Sequence, residues 1–135
     1  MNDCIFCKII NGEVPSYKIY EDDETFAFLN IHPMSKGHVL IVPKNHAEDL
    51  AHGSEGDSVA IMKTLHKIAP KVIEALGATG YNLGMNHGKI AGQEVFHTHL
   101  HVIPRYEGGA RTFDKNEASE QELNDVKKLI LEGIK

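Results

Sequence analysis

The chain has 135 residues, of which 41% are hydrophobic, and its formal net charge is −5 at pH 7. This length is typical of one domain with its own core, so we expect a single domain over residues 1–135. An acidic chain without a basic stripe excludes nucleic acid as an expected partner, although a small phosphate ligand needs only a local group of donors.

The sequence carries no pattern typical of export or membrane insertion. The stretch Met1–Cys4 lacks the basic and apolar regions of a signal peptide, and no apolar run approaches the length of a membrane span. Both cysteines lie in Cys4-x-x-Cys7, which does not favour a disulfide scaffold. We therefore expect a cytoplasmic protein with no membrane partner.

The first predicted elements are a short helix and a hairpin. Residues 4–11 space their large apolar side chains for one face of a helix. Residues 17–20 and 25–29 are predicted to be strands on either side of an acidic turn, residues 21–24, that cannot be buried. Residues 38–43 are predicted to be a third strand, central in the sheet because it is apolar almost throughout.

The middle of the chain is dominated by a long amphipathic pattern. Residues 56–76 have the period of a helix, which Pro70 should bend. Its expected core positions are Val59, Met62, Leu65, Ile68, Ala69, Val72, Ile73 and Leu76. Residues 81–86 are predicted to be a fourth strand. Three histidines outside these strands, His32, His52 and His66, are assigned no role.

The C-terminal third contains a predicted fifth strand, a loop and a helix. The strand covers residues 95–104, and residues 105–118 have no clear period. Ser119 and Glu122 form a capping box, S-x-x-E, that should begin a helix over about residues 119–135. The predicted fold class is α+β: a mainly antiparallel sheet of about five strands, one long helix, a short N-terminal helix and a C-terminal helix.

Three histidines alternate along the predicted fifth strand. Because successive side chains of a strand point to opposite faces, His97, His99 and His101 should share one face. A neutral imidazole with one free nitrogen is a competent nucleophile near pH 7. His99 is best placed, since a ring on each side can support it. A row of metal ligands, or a merely exposed polar face, is the alternative interpretation.

This stretch resembles the signature of the histidine triad (HIT) family, His-φ-His-φ-His-φ-φ with φ apolar, and departs from it only at Thr98. Residues 86–96, 37–44 and 4–10 are also similar to the family, so the resemblance covers about residues 4–106. It implies a HIT-like fold close to the bacterial Hint-like members. It also implies a homodimer whose sheets join across the interface.

The resemblance implies a nucleotide hydrolase or transferase. His99 would attack the α-phosphorus of a nucleotide conjugate, such as a purine nucleoside phosphoramidate, and form a nucleotidyl-histidine intermediate. Water would then release the nucleoside monophosphate. His97 would orient the nucleophile, and His101 and His38 would donate hydrogen bonds to phosphoryl oxygens. No catalytic metal is expected.

The same resemblance implies a set of nucleotide contacts. Asn30 would bind the ribose, although an Asn at a strand end is more often a turn residue. Glu94 occupies a position that is Ser or Thr in many members, and a carboxylate would repel phosphate. We therefore expect Glu94 to use its backbone N–H, with the side chain turned away. The other expected contacts are Phe6, Ile9, Phe28 and Ile31 around the base, and Asn86, Gly92, Gln93 and Val95 near the phosphate.

Cys4-x-x-Cys7 is half of a tetrahedral zinc site. Some bacterial members of the family bind structural zinc through two Cys, the His after Pro-Lys-x and the first triad His. Cys4, Cys7, His46 and His97 match these positions, so we expect structural zinc.

The sequence leaves several functions open. Dinucleoside polyphosphate hydrolysis is one alternative to phosphoramidate hydrolysis. A non-enzymatic nucleotide-binding regulatory module is a second, and a metal-buffering protein is a third.

Overall fold

A computed structural model describes residues 3–135, which form one antiparallel sheet and three α-helices. The strands are β1 (Lys18–Glu21), β2 (Thr25–Leu29), β3 (Val39–Pro43), β4 (Gly80–Gly84) and β5 (Leu100–Arg105). The helices are α1 (Ile5–Ile10), α2 (Glu55–Leu76) and α3 (Glu120–Ile134), with 3₁₀ turns at Leu50–His52 and Lys89–Ala91. The predicted fold class is confirmed.

The sheet has the strand order β1-β2-β3-β5-β4, with every neighbouring pair antiparallel. All five residues of β3 are buried, as expected for a central strand. Because side chains alternate along a strand, β3 sends Val39 and Ile41 to one face and Leu40 and Val42 to the other.

One face of the sheet carries the main core, and the other face carries the site. Under α2 and α3 the strands contribute Ala27, Leu29, Val39, Ile41, Leu100 and Val102 to the core. On the opposite face, Phe26, Phe28, Leu40 and Val42 pack against Phe6 of α1. This second face is covered only in part, because α1 has just six residues.

Helix α2 begins one residue before the predicted start and ends at the predicted residue, and its buried stripe differs from the predicted one in part. The N-cap Ser54 accepts a hydrogen bond from the backbone N–H of Asp57, and Gly77 ends the helix in the left-handed conformation. Val59 and Met62 were expected in the core and are 47% and 43% exposed. The predicted core positions Leu65, Ile68, Ala69, Val72 and Leu76 are buried, and Ile61 extends this stripe toward the N-terminus of the helix.

The histidine strand begins later than predicted. Strand β5 starts at Leu100, so His97 and His99 precede it. Its pairing with β3 ends at the Ile41–Leu100 pair. Beyond that point Thr98 donates its backbone N–H to the Ala47 carbonyl, in a loop, at 2.9 Å. The chain therefore turns away from the strand direction at His97.

The capping box that predicted the last helix is present: Ser119 and Glu122 bond each other's backbone N–H groups at the start of α3. Helix α3 packs on α2, where a side chain at Gly133 would come within 2.7 Å of Ala75 Cβ. Among the described residues, no helix combines the length and the apolar character needed to cross a bilayer.

Candidate active site and metal centre

The His99 ring is held in one tautomer by its own backbone. Its Nδ1 lies 2.7 Å from the His97 carbonyl oxygen, which can only accept, so Nδ1 carries the proton. Nε2 is left with its lone pair. Burial lowers the pKa of His99, although the hydrogen bond to the carbonyl opposes this shift. A neutral ring with an available Nε2 is the form that a nucleophile requires.

A second chain of hydrogen bonds sets the tautomers of His38 and His101. The backbone N–H of Met34 donates to His38 Nδ1 at 3.0 Å, so the proton of His38 is on Nε2. That N–H donates to His101 Nδ1 at 2.9 Å, which leaves the His101 proton on Nε2. The rings of His99 and His101 have centroids 4.9 Å apart. A donor nitrogen therefore stands beside the candidate nucleophile.

Burial keeps both of these supporting rings neutral. It lowers the pKa of His38 to about 3, with a smaller contribution from the His101 ring. It lowers the pKa of His101 to about 4, with a smaller contribution from His99. His38 is 1% exposed and both of its nitrogens have partners, so it acts on a ligand only through His101.

The His97 ring faces a different group of side chains. Its Nε2–H donates to the Pro43 carbonyl at 2.8 Å, which leaves the lone pair on Nδ1. This Nδ1 lies 3.4 Å from Cys4 Sγ, 3.6 Å from Cys7 Sγ and 3.2 Å from His46 Nδ1. His97 therefore contacts the candidate nucleophile through its carbonyl group, while its ring belongs to the cluster of Cys4, Cys7, His46 and His97.

The separations within this Cys/His cluster fit a tetrahedral zinc ion. Around zinc, two nitrogens would be about 3.3 Å apart, and a nitrogen and a sulfur about 3.6 Å apart. The observed values are 3.2 Å between the nitrogens, and 3.4 Å to 3.6 Å between nitrogen and sulfur. The Pro43 carbonyl orients His97 as outer-shell partners orient zinc ligands. Burial and hydrogen bonding with Cys4 raise the pKa of the Cys7 thiol to about 11, so a metal must displace its proton.

A cavity of about 390 Å³ lies beside His99 and His101. One wall is apolar, and the Phe6 ring meets Phe28 edge-on at 5.4 Å and His99 at 5.1 Å between centroids. The expected contacts that line it are Phe6, Ile9, Phe28, Asn30, Ile31, Asn86, Gly92, Glu94 and Val95. A cavity of about 460 Å³ between α3 and residues 33–38 includes neither His99 nor His101 in its wall.

Gln93 was expected to contact the nucleotide but stands apart from this group. It is 3% exposed, and its Nε2 donates to the carbonyls of Glu48 at 2.6 Å and Val95 at 3.0 Å. Its Oε1 accepts the backbone N–H of Gly88 at 2.8 Å. The amide thus holds the loop in place rather than lining the cavity.

Two expected contacts in the cavity wall also have local structural roles. Asn30 Oδ1 accepts the His32 backbone N–H at 2.8 Å, which is the turn role that its position predicts. Gly92 has φ +96°, and a Cβ there would lie 3.4 Å from Asn86 Nδ2. Asn86 in turn donates to the Gly92 carbonyl at 3.3 Å. A side chain at position 92 would disturb both the backbone and Asn86.

Glu94 forms an ion pair that the sequence does not predict. Its carboxylate forms an ion pair with Lys115, and both side chains line the mouth. Lys115 lies in the segment for which no period was found, and it was not expected in the site. Asn116 ties this segment to the Pro33 carbonyl with its backbone and side-chain N–H groups, both at 3.0 Å. No local pattern in the sequence indicates the pairing of Glu94 with Lys115, because these two residues are 21 positions apart.

Comparison with known proteins gives the family. A family model described as HIT domain matches residues 11–108. An HIT-like protein of Methanocaldococcus jannaschii is 45% identical over 127 residues, which are 94% of this chain and 98% of that protein. The chain belongs to the histidine triad family, as its motif predicts.

Two other relatives carry more specific descriptions. The adenosine 5′-monophosphoramidase hnt1 of Schizosaccharomyces pombe is 45% identical over 102 residues, 76% of this chain and 74% of that protein. A zinc-bound histidine triad family protein of Mycobacterium smegmatis superimposes with a TM-score of 0.89 at 34% identity, covering 98% of this chain and 94% of the other.

Proposed function

We propose that this protein hydrolyses a nucleotide conjugate at its α-phosphorus, with a purine nucleoside phosphoramidate as the favoured substrate class. The observation that carries the proposal is the hydrogen bond from His99 Nδ1 to the His97 carbonyl, which leaves Nε2 as the free nitrogen of a ring in the cavity wall. The relationship to an adenosine 5′-monophosphoramidase supports the same chemistry.

In the first step, His99 Nε2 attacks phosphorus and the bond from phosphorus to the leaving nitrogen breaks. The leaving amine takes a proton from solvent, while the Nε2–H of neutral His101, whose ring lies beside that of His99, donates a hydrogen bond to a phosphoryl oxygen. In the second step, water attacks the phosphorus, the phosphorus–Nε2 bond breaks and one proton of the water returns to solvent. Nucleoside monophosphate leaves, and His99 returns to its neutral form.

The cavity matches the other parts of such a substrate. Its apolar wall of Phe6, Ile9, Phe28 and Ile31 provides a site for a flat purine ring. Asn30 is at the edge of that wall, where its free amide N–H groups can meet ribose hydroxyls. The backbone N–H groups of Gly92 and Gln93 donate to carbonyls within the loop, so those of Glu94 and Val95 are the ones proposed for phosphoryl oxygens. Lys115 neutralises the Glu94 carboxylate.

The Cys/His cluster is proposed as a structural zinc site. Zinc would be held by Cys4, Cys7, His46 and His97, four ligands that leave no open position for water. Bound there, the ion would clamp α1 to the loop after β3 and to the residue whose carbonyl orients His99. The zinc-bound relative supports this assignment.

We also propose that two copies pair along β4. This strand ends the sheet, so one of its sides has unpaired N–H and C=O groups. Tyr81 and Leu83 on β4 are 40% and 46% exposed. Analytical ultracentrifugation should show a dimer that Leu83→Glu disrupts. Ile90→Glu, a change at a fully exposed position outside the strand, should leave the dimer intact.

The activity is tested by measuring AMP release from adenosine phosphoramidate and from diadenosine polyphosphates. We expect faster release from the phosphoramidate, and an adenylylated protein after quenching in an alkaline denaturant, in which a phosphorus–imidazole bond survives. Higher kcat/KM for the polyphosphate would favour the alternative hydrolase. Nucleotide binding without turnover of either substrate would favour a regulatory module and contradict the proposal.

A further inference from the structure

Two loops outside the cavity bring a carboxylate and two imidazoles together. Asp49 caps the 3₁₀ turn at Leu50–His52, and its Oδ1 accepts the His52 backbone N–H at 3.1 Å. The same oxygen lies 2.7 Å from His52 Nδ1, and Oδ2 lies 3.0 Å from His87 Nε2. One ligand atom from each of the three side chains lies within 4.8 Å of the others.

The three side chains differ in exposure in a way that suits an open metal site. The Asp49 side chain is 5% exposed, whereas those of His52 and His87 are 63% and 56% exposed. The carboxylate is therefore fixed by its backbone contact, and the imidazoles can adjust to an ion. Solvent can reach the side of the group opposite the protein.

The two loops are already held together without an ion, and Gln93 supplies the connection. It donates to the carbonyl of Glu48, next to Asp49, and accepts from the N–H of Gly88, next to His87. The amide is buried, so these bonds are protected from water. Because the loops need little ordering, less of the binding free energy of an ion is lost to conformational entropy.

We propose that Asp49, His52 and His87 form a second metal site, separate from the Cys/His cluster, for a divalent transition metal such as Zn²⁺ or Ni²⁺. Two imidazoles and one carboxylate are a donor set that such ions accept, and the absence of thiolate from these three ligands suits Ni²⁺ as well as Zn²⁺. Three protein ligands leave at least one coordination position for water or another ligand. We expect this site to be weaker than the Cys/His cluster and to exchange its ion readily.

The rival interpretation is a carboxylate that only bridges two imidazoles through hydrogen bonds. The two interpretations differ in stoichiometry. Full-length protein with its Cys/His cluster loaded with zinc is titrated with Ni²⁺ by calorimetry. We expect one equivalent of Ni²⁺ to bind to the zinc-loaded wild type, and none to bind to the His52→Ala/His87→Ala variant. The control His32→Ala/His66→Ala removes two histidines outside this group and should still bind it.

Asp49→Asn separates ligand loss from misfolding. Asn caps a helical turn as well as Asp does, so the local fold should persist, as circular dichroism can check. Its amide is a much poorer metal ligand, so the affinity should fall by more than about tenfold, a loss that even an outer-shell change can cause. Equal loss in the His32/His66 control, or no loss with Asp49→Asn, would overturn the proposal.

Cobalt provides a readout that distinguishes the two sites. Co²⁺ bound to thiolate shows a charge-transfer band in the near ultraviolet, whereas Co²⁺ held by imidazole and carboxylate does not. Apo-protein should take one equivalent with that band and a second without it. A wild-type protein that takes up only the thiolate-bound equivalent would show that Asp49 merely bridges the two rings.

Discussion

His97 and His99 are two residues apart, yet their rings belong to two different sites. The His97 ring completes a cluster of two cysteines and two histidines, and the His99 ring lines an open cavity. Phe6 lies against both rings, with centroids 5.9 Å from His97 and 5.1 Å from His99. The Cys/His cluster and the cavity thus lie side by side, and the His97 carbonyl links them by accepting a hydrogen bond from His99 Nδ1.

The difference follows from what each nitrogen contacts. His97 directs its free Nδ1 at the cluster because its Nε2–H is taken by Pro43. His99 has the opposite tautomer, because its Nδ1–H is taken by the His97 carbonyl. Two backbone carbonyls therefore leave one imidazole with its free nitrogen toward the Cys/His cluster and the other with its free nitrogen on a ring in the cavity wall. This difference underlies the proposed roles of His97 in metal binding and of His99 in nucleophilic attack. Substitutions in the cavity and in the Cys/His cluster can test the two sites separately.

The largest effect should come from His99→Ala. Removing the nucleophile should lower kcat by about 10⁴-fold or more, as loss of a nucleophile does in other covalent enzymes. AMP release in steady state measures it. Nucleotide binding and zinc content should be unchanged, and His66→Ala on the exposed face of α2 is the control. Near wild-type turnover would exclude His99 as the nucleophile.

The double variant Cys4→Ser/Cys7→Ser should abolish metal binding at the Cys/His cluster. Zinc content should fall by one equivalent per chain, and the free energy of unfolding should drop by about 3 kcal/mol, because a closed zinc site contributes to folding. Thermal denaturation and elemental analysis measure the two quantities.

Hydrolysis at low temperature should remain measurable in this double variant, since no step uses the cluster. A chelator should lower the melting temperature of the wild type but not that of the variant. If chelation stops turnover in protein that stays folded, zinc takes part in the chemistry and the separation of the two sites is wrong.

Phe6→Leu tests the ring that lies between the sites. The change keeps an apolar side chain but loses the edge-on contacts with Phe28 and His99, worth about 0.5–1.5 kcal/mol each. We expect KM to rise about tenfold with a smaller change in kcat. Phe26→Leu removes a ring from the same apolar cluster but outside the cavity wall, so its KM should be unchanged.

Lys115→Met should have a smaller effect. It leaves the Glu94 carboxylate unpaired at the mouth, where it repels an anionic substrate. An exposed pair is worth about 0.2–1 kcal/mol, so KM should rise at most about fivefold, and less at high salt. Adding Glu94→Gln should restore KM. A rise that persists in the double variant would mean that Lys115 contacts the substrate directly.

Magnesium should have the smallest effect of all. Among the described residues, Glu94 is the one carboxylate in the cavity wall, and it is paired with Lys115. A magnesium site of the usual kind needs carboxylates that are free to bind the ion. Initial rates with and without added Mg²⁺, in zinc-loaded protein, should agree. Full dependence on Mg²⁺ would require a different donor for the phosphoryl oxygens.

The sequence by itself determined the elements and the family. Short-range patterns predicted the elements: the apolar runs of β2 and β3, the helical period of α2 and the capping box before α3. Each pattern spans neighbouring residues, so it can be recognised in the sequence alone. The alternating histidines and Cys4-x-x-Cys7 identified the family's motif and named the members of a cluster that the fold then assembles.

Only the tertiary structure decided how these residues are used. The tautomers of His38 and His99 are set by the Met34 N–H and the His97 carbonyl, whose positions depend on how loops pack. The pairs Glu94–Lys115 and Asp49–His87 join distant parts of the chain. Such contacts leave no local pattern in the sequence, because they arise from the closure of long loops on the sheet, which brings together side chains that no periodicity relates.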